Sequence, residues 1–278
     1  MSQPTSDPQE AGLVPAEGWH VLHLFYRVRR DRLSQLPDDR RREGCRQLAA
    51  LLDPQSDDAP ERLQTFLVPG HKADLGVLLM GPDPIQLARI EQGVQASALG
   101  GVLLRTYSFV SVTEVSEYVP TVEQYAARLR EEGEDPDSPA FHTKVKSYEA
   151  REEKMRQQRL YPALPSWPVL CFYPMSKKRE VGENWYALEF ADRMQLMTDH
   201  GRVGQTFAGK VLQVITASTG LDDWEWGVTL WARRPDFLKE IVYTMRFDEA
   251  SARYALFGPF YVGYLFPAPQ LLEQLRLV

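Results

Sequence analysis

Cysteine and histidine are scarce in this 278-residue chain, and it carries no excess of positive charge. Two cysteines, Cys45 and Cys171, cannot build a disulfide framework, and a lone pair so far apart in sequence is expected to stay reduced. Five histidines show no zinc-type spacing with each other or with cysteine, which excludes paired metal ligation. A formal net charge of −6 argues against a nucleic-acid binder, whose footprint is basic. Both halves share the deficit: residues 161–278 hold 12 Lys+Arg against 13 Asp+Glu, and residues 1–160 hold 20 against 25. The opening MSQPTSDPQEAG has neither a basic nor an apolar segment of a secretory signal, and no apolar run approaches the roughly 18–20 residues a bilayer span needs. A cytoplasmic, soluble protein without a membrane span is the expectation. GxGxxG, Walker-type and GxSxG patterns are also missing.

What is present is globular: 44% hydrophobic and 25% charged residues with 11% aromatics, over a length that suits two domains of about 100–150 residues. Residues 1–16, rich in Pro, Ser, Gln and Asp, read as a flexible tail. The strand-like GWHVLHLFYRV then returns, with a shift of one residue, as SWPVLCFYPMSKK, and DLGVLLMGPDP returns as EWGVTLWARRPD. Trp19 lies 57 residues before Gly76, and Trp167 lies 60 before Gly227. One unit used twice accounts for this spacing.

In the second copy the unit runs strand Trp167–Tyr173, helix Phe190–Gly204, strand Phe207–Thr219, strand Trp224–Ala232, helix Pro235–Thr244 and strand Phe257–Phe266. That order is the split βαβ, ferredoxin-like arrangement, an α+β fold in which two sheets can face each other and close a barrel-like core. The expected domains are 17–122 and 165–278. Residues 123–164 join them as a solvated acidic loop followed by a charged surface helix, KVKSYEAREEKMRQQRL.

Three features carry candidate chemistry. Phe190, Met194, Met197 and His200 follow a helical stripe, so His200 faces an apolar side, as a hydrogen-bonded core residue or as a single axial haem ligand. His20 and His23, three apart on a strand, point to opposite faces and cannot chelate together. Val169, Cys171 and Tyr173 share a strand face that Pro174 is expected to end, and Lys177, Lys178 and Arg179 follow, either as a solvated basic turn or as an anion site. Gln213 sits among β-branched neighbours, either satisfying a buried backbone group or pointing into a polar cavity. Arg246, Asp248, Glu249, Ser251 and Arg253 read as a salt-bridge cluster at a helix end.

From Arg159 to Gly263 the runs WPVLCFYPMSKKR, NWYALEFADRMQLMTDHG, VLQVITAST, WEWGVTLWA and IVYTMRFDEASARYALFGPFYVG resemble the coproheme decarboxylases of the chlorite dismutase superfamily, and the first half is similar in layout. The resemblance implies two ferredoxin-like domains forming a paired α+β barrel, in a homopentamer. It implies His200 as the haem-iron ligand, Tyr173 as a redox-active tyrosine and Lys177 as a propionate contact or proton donor. Arg159, Pro174, Met175, Ser176, Arg246 and Ser251 would surround the porphyrin, and Gln213 would be the distal residue. The substrate would be iron coproporphyrin III, also called coproheme, the co-substrate hydrogen peroxide and the product haem b, with contact to a coproporphyrin ferrochelatase implied by pathway alone. The chlorite-decomposing branch has a distal arginine where this chain has Gln213, and Ala217 replaces the usual glycine of ITGS. A haem peroxidase, a chlorite-degrading enzyme and a non-catalytic haem carrier are the rival readings.

Overall fold

In the computed structural model, residues 12–278 are described. The expected tail therefore lies mostly outside the described residues, apart from an exposed turn over 12–16 whose Leu13 carbonyl bonds His20 Nε2 at 2.9 Å. Along the first half run β1 (His20–Val28), α1 (Arg30–Leu33), α2 (Asp38–Leu51), β2 (Arg62–Leu67), β3 (Leu75–Gly81), α3 (Pro84–Ala96) and β4 (Leu103–Thr113). Two helices connect the halves, α4 (Val122–Glu131) and α5 (Pro139–Leu160). The second half contains β5 (Val169–Lys177), a small hairpin of β6 (Arg179–Glu180) and β7 (Glu183–Asn184), and α6 (Phe190–Gln205). It continues with β8 (Val211–Ala217), β9 (Trp226–Ala232), α7 (Pro235–Met245), α8 (Glu249–Ala252), β10 (Ala255–Phe257), β11 (Tyr261–Leu265) and α9 (Ala268–Gln274).

Strand order makes the duplication explicit. The first half is ordered β4-β1-β3-β2 and the second β11-β5-β9-β8, the same antiparallel ferredoxin-like order written twice. The copies join at two short seams. Leu67 and Phe66 of β2 pair with Tyr264 and Leu265 of β11, while Val112 and Thr113 of β4 pair with Ala217 and Thr216 of β8. Together the ladders close an eight-stranded barrel, with β10 extending the β11 side of β5.

Strand alternation then divides the apolar residues between two surfaces. Phe25, Phe66, Phe109, Phe172, Trp231 and Tyr261 fill the barrel interior. His23 is sealed among them, stacked on Phe172 at 4.1 Å with Nε2 bonded to Thr229, and burial pushes it down to about 3. The outer faces carry Leu22, Leu24, Tyr26 and Val77 in the first half, and Val169, Cys171, Tyr173, Val228 and Leu230 in the second. Both cysteines are free and buried.

Local sequence explains the ends of several elements and corrects some expectations. Pro174 does not end its strand: β5 runs on to Lys177. The Pro174 carbonyl accepts from Gly258 N–H at 2.8 Å, so the missing N–H faces the break between β10 and β11, where the ladder requires no donor. The connector has the acidic loop and the charged helix α5, and adds a helix ahead of them, because Thr121 and Gln124 form a capping box that starts α4. Among the described residues no helix is long and apolar enough to cross a membrane.

Candidate active site

Equivalent helices in the two halves are seated differently. On α2 the residues Gly44, Cys45 and Leu48 are buried against the sheet, and α3 buries Leu87, Ile90 and Val94. The second-half counterpart of α2 is α6, and none of its 16 residues is buried. Met194, Leu196, Met197 and Val203 are only half covered, and the helix packs against α7 and α8. Below it Val211 and Ile215 of β8 are likewise half exposed, with Gln213 exposed between them and bonded to nothing among the described residues. An amphipathic helix and a strand that both leave apolar side chains half covered are candidates for the walls of a ligand site.

His200 lies on this helix. Its Nδ1 is 3.1 Å from Asp248 Oδ1, and Ser251 Oγ is 3.4 Å from the same nitrogen. Asp248 caps α8, accepting from Ser251 N–H, and its second oxygen is buried without a partner. Burial pushes Asp248 up, but the hydrogen bond and charge of His200 and the Ser251 donors outweigh it and hold the carboxyl below its ordinary value. A carboxylate only accepts, so His200 donates through Nδ1–H, and Nε2 is the ring nitrogen left for another partner. That free nitrogen on a fixed ring suits a metal carried by a ligand, and among the described residues no cluster of three or more His, Cys, Asp or Glu offers another site.

Lys177 closes one side. It is 8% exposed, its ammonium donates to the Ala250 carbonyl at 3.2 Å, and it stands 3.9 Å above the Trp185 ring. Its own N–H donates to Glu225 Oε2 at 2.7 Å. Burial lowers its pKa to about 8 despite the opposing pull of Asp248 and Glu225. Of the three consecutive cations only this one turns inward. Lys178 pairs with Glu183 across the hairpin at 2.7 Å, and Arg179 is exposed on β6.

Tyr173 shares the outer face of β5 with Met175 and Lys177. Its ring is stacked on Phe260 at 4.5 Å and met edge-on by Phe257 at 5.8 Å, and its hydroxyl has no hydrogen-bond partner among the described residues. Burial raises its pKa far above the ordinary phenol value, with Cys171 adding to the rise and Arg246 offsetting part of it. Arg246, at the end of α7, lies 5.2 Å over Phe257. Arg159 is exposed near the end of α5, where its charge offsets part of the rise that burial gives Glu114. Glu114 is the acceptor for Trp226 Nε1, and Trp226 is paired with Met175. Pro174 and Ser176 alternate to the opposite face of β5, and the Ser176 hydroxyl accepts from Glu225 N–H at 3.2 Å. They offer this face backbone atoms alone.

Thus the structure joins His200, Asp248 and Ser251 by hydrogen bonds, brings Lys177 to the Ala250 carbonyl beside Ser251, and sets Tyr173 on the strand face of Lys177 with Arg246 near enough to offset part of its rise, while Arg159 and Gln213 make no hydrogen bond to any of these side chains among the described residues. Sequence reasoning placed Asp248 in a helix-end salt-bridge cluster without its pairing to His200, and missed Glu225 and Trp185. Only Asp248 had a local signal, the Asp-x-x-Ser spacing of a helix cap.

Comparison with known proteins places the chain in a family. A family model described as chlorite dismutase matches residues 41–266. The chain is 38% identical over 264 residues to a coproheme decarboxylase from Staphylococcus carnosus (strain TM300), covering 94% of this chain and 97% of that one. It superimposes with a TM-score of 0.76 and 36% identity on a heme-binding protein from Thermus thermophilus, over 93% and 95% of the two chains. A mutant chlorite dismutase from Candidatus Nitrospira defluvii, 18% identical, shares the fold at a TM-score of 0.69 over 95% and 98%.

Proposed function

The chain belongs to the chlorite dismutase family, and from that premise we propose that it is a coproheme decarboxylase. It would use hydrogen peroxide to convert two propionates of coproheme into vinyls, giving haem b. The observation that carries this reading is a conjunction in the second copy: a helix with no buried residue that bears a histidine fixed through Nδ1, and a strand face that carries a buried tyrosine and a buried lysine.

Bound coproheme, at once substrate and cofactor, supplies the redox chemistry with peroxide. His200 would hold the iron, and Asp248 would fix the ring and raise its basicity. Burial keeps the Tyr173 hydroxyl protonated, so the residue works by losing and regaining a hydrogen atom instead of acting as a phenolate. Once oxidised, Tyr173 takes a hydrogen atom from the β-carbon of a propionate, and loss of carbon dioxide and one electron leaves the vinyl. Each round balances as one propionic acid group and one hydrogen peroxide giving one vinyl, one carbon dioxide and two waters. Lys177, poised near 8, contacts the propionate and passes a proton. Arg159, Arg246, Met175 and Ser251 surround the remaining propionates, whose charge requires pairing when buried.

Gln213, exposed on β8, would face the bound porphyrin from the side opposite His200. A neutral amide gives a chlorine oxyanion no cation to meet, which disfavours the chlorite-degrading alternative. In this reading residues 165–278 hold the porphyrin and residues 17–122 are chiefly scaffold. A cytoplasmic homopentamer that receives coproheme from a ferrochelatase completes the proposal. The decisive variant is Tyr173→Phe. It retains coproheme binding and forms no vinyl; full decarboxylation by this variant removes the tyrosine from the chemistry.

A further inference from the structure

We infer that Phe260 is a positioning residue for Tyr173, and that Lys72, from the first half of the chain, holds it in place. The inference rests on the reading of Tyr173 as the reacting group, and it adds a part played by the half of the chain otherwise taken as scaffold.

The Tyr173 hydroxyl has no hydrogen-bond partner among the described residues, so the direction of its ring is set by packing. Two rings do this: Phe260 lies nearly parallel to it, at 4.5 Å and 25°, and Phe257 meets its edge at 5.8 Å. Phe260 is itself in an irregular piece of backbone. Gly258, Pro259 and Phe260 occupy the break between β10 and β11, where no strand ladder holds them. The segment is fastened at its two ends instead. At the start, Gly258 N–H donates to the Pro174 carbonyl, and the approach is so close that a Cβ on Gly258 would come within 2.6 Å of Pro174 Cγ and 2.9 Å of Trp224. At the end, the Phe260 carbonyl accepts from the Lys72 ammonium at 2.7 Å.

Lys72 belongs to the loop between β2 and β3 and is 188 residues from Phe260 in sequence. Its ammonium also lies 5.7 Å above the Tyr261 ring, immediately after Phe260. The donor therefore reaches over from the first copy and pins the residue on which the tyrosine of the second copy is stacked. A charged donor to a half-buried carbonyl is stronger than a neutral one, and Phe260 itself lies just outside the ladder that resumes at Tyr261.

The test uses the full chain labelled with 3-fluorotyrosine, the Tyr173 resonance being assigned by its loss in Tyr173→Phe. Without coproheme, Phe260→Ala and Lys72→Met shift or broaden the fluorine signal of Tyr173, whereas Phe260→Tyr and Lys72→Arg keep it close to wild type. With coproheme bound, Phe260→Ala lowers the rate of vinyl formation about tenfold or more while affinity stays within about twofold, as a misaligned reacting group requires. An unchanged Tyr173 signal in both Phe260→Ala and Lys72→Met overturns the inference. So does a loss of coproheme affinity that accounts for the whole loss of rate. Failure of the functional reading is separate: it shows as absence of vinyl formation in the wild type, whatever the fluorine spectra report.

Discussion

Lys177 concentrates the electrostatic tension of the site in one residue. Desolvation lowers it to about 8, while an unfolded lysine keeps its proton to about 10.5. Between those values the unfolded chain binds more protons, so this group makes stability rise with pH across that interval and withholds it fully below pH 8. The withheld amount is on the order of 3 kcal/mol. In the ligand-free protein, the urea midpoint of wild type is therefore expected to rise relative to that of Lys177→Met between about pH 7.5 and 9.5; parallel pH dependence in the two proteins contradicts the assignment. At this scale the sequence was unevenly legible. His200 announced itself because Met194, Met197 and Leu196 sit on its helical face. Its partner Asp248 is 48 residues away, and the pairing exists only after α6 and α8 pack together. The Lys177–Trp185 contact is equally invisible, since it requires the β6–β7 hairpin to fold back over the strand.

Helix α6 shows where periodicity stops being informative. The stripe placed a helix at Phe190–Gly204, and the structure ends it one residue later, at Gln205. Periodicity identifies which face is apolar and says nothing of what will cover it. Here protein covers that face incompletely, unlike α2 and α3, and coproheme is the proposed remainder. A helix with few buried contacts opens easily. Its amide hydrogens over residues 194–203 should accordingly exchange rapidly in the ligand-free protein and slow by at least about tenfold when coproheme binds, while those of α2 stay unchanged. Equal protection of the two helices before binding, or no slowing afterwards, rules out the apolar face of α6 as part of the site. Strand β5 teaches a related lesson. Pro174 signals a strand end in sequence, yet the β10–β11 break lets the strand continue and carry Lys177 into the site.

At the scale of the whole molecule, one ferredoxin-like unit appears twice with different consequences. The recurrence of GWHVLHLFYRV as SWPVLCFYPMSKK made the duplication readable, because both segments must satisfy the same central-strand environment. The seams were not readable, since two residue pairs at each junction leave no pattern in the sequence. In the first copy both helices bury residues on the sheet; in the second, α6, which carries His200, buries none. The acidic net charge sharpens this division, because a tetra-anionic porphyrin must then find its cations locally, and only Lys177 among the three consecutive ones is turned inward. The central claim is that this opening performs peroxide-dependent decarboxylation. Titrating the coproheme-loaded protein with hydrogen peroxide and following porphyrin mass tests it most directly. The account predicts two successive losses, each of one carbon dioxide and two hydrogens, ending at haem b. Porphyrin that keeps all four propionates, or that is bleached without either loss, contradicts it.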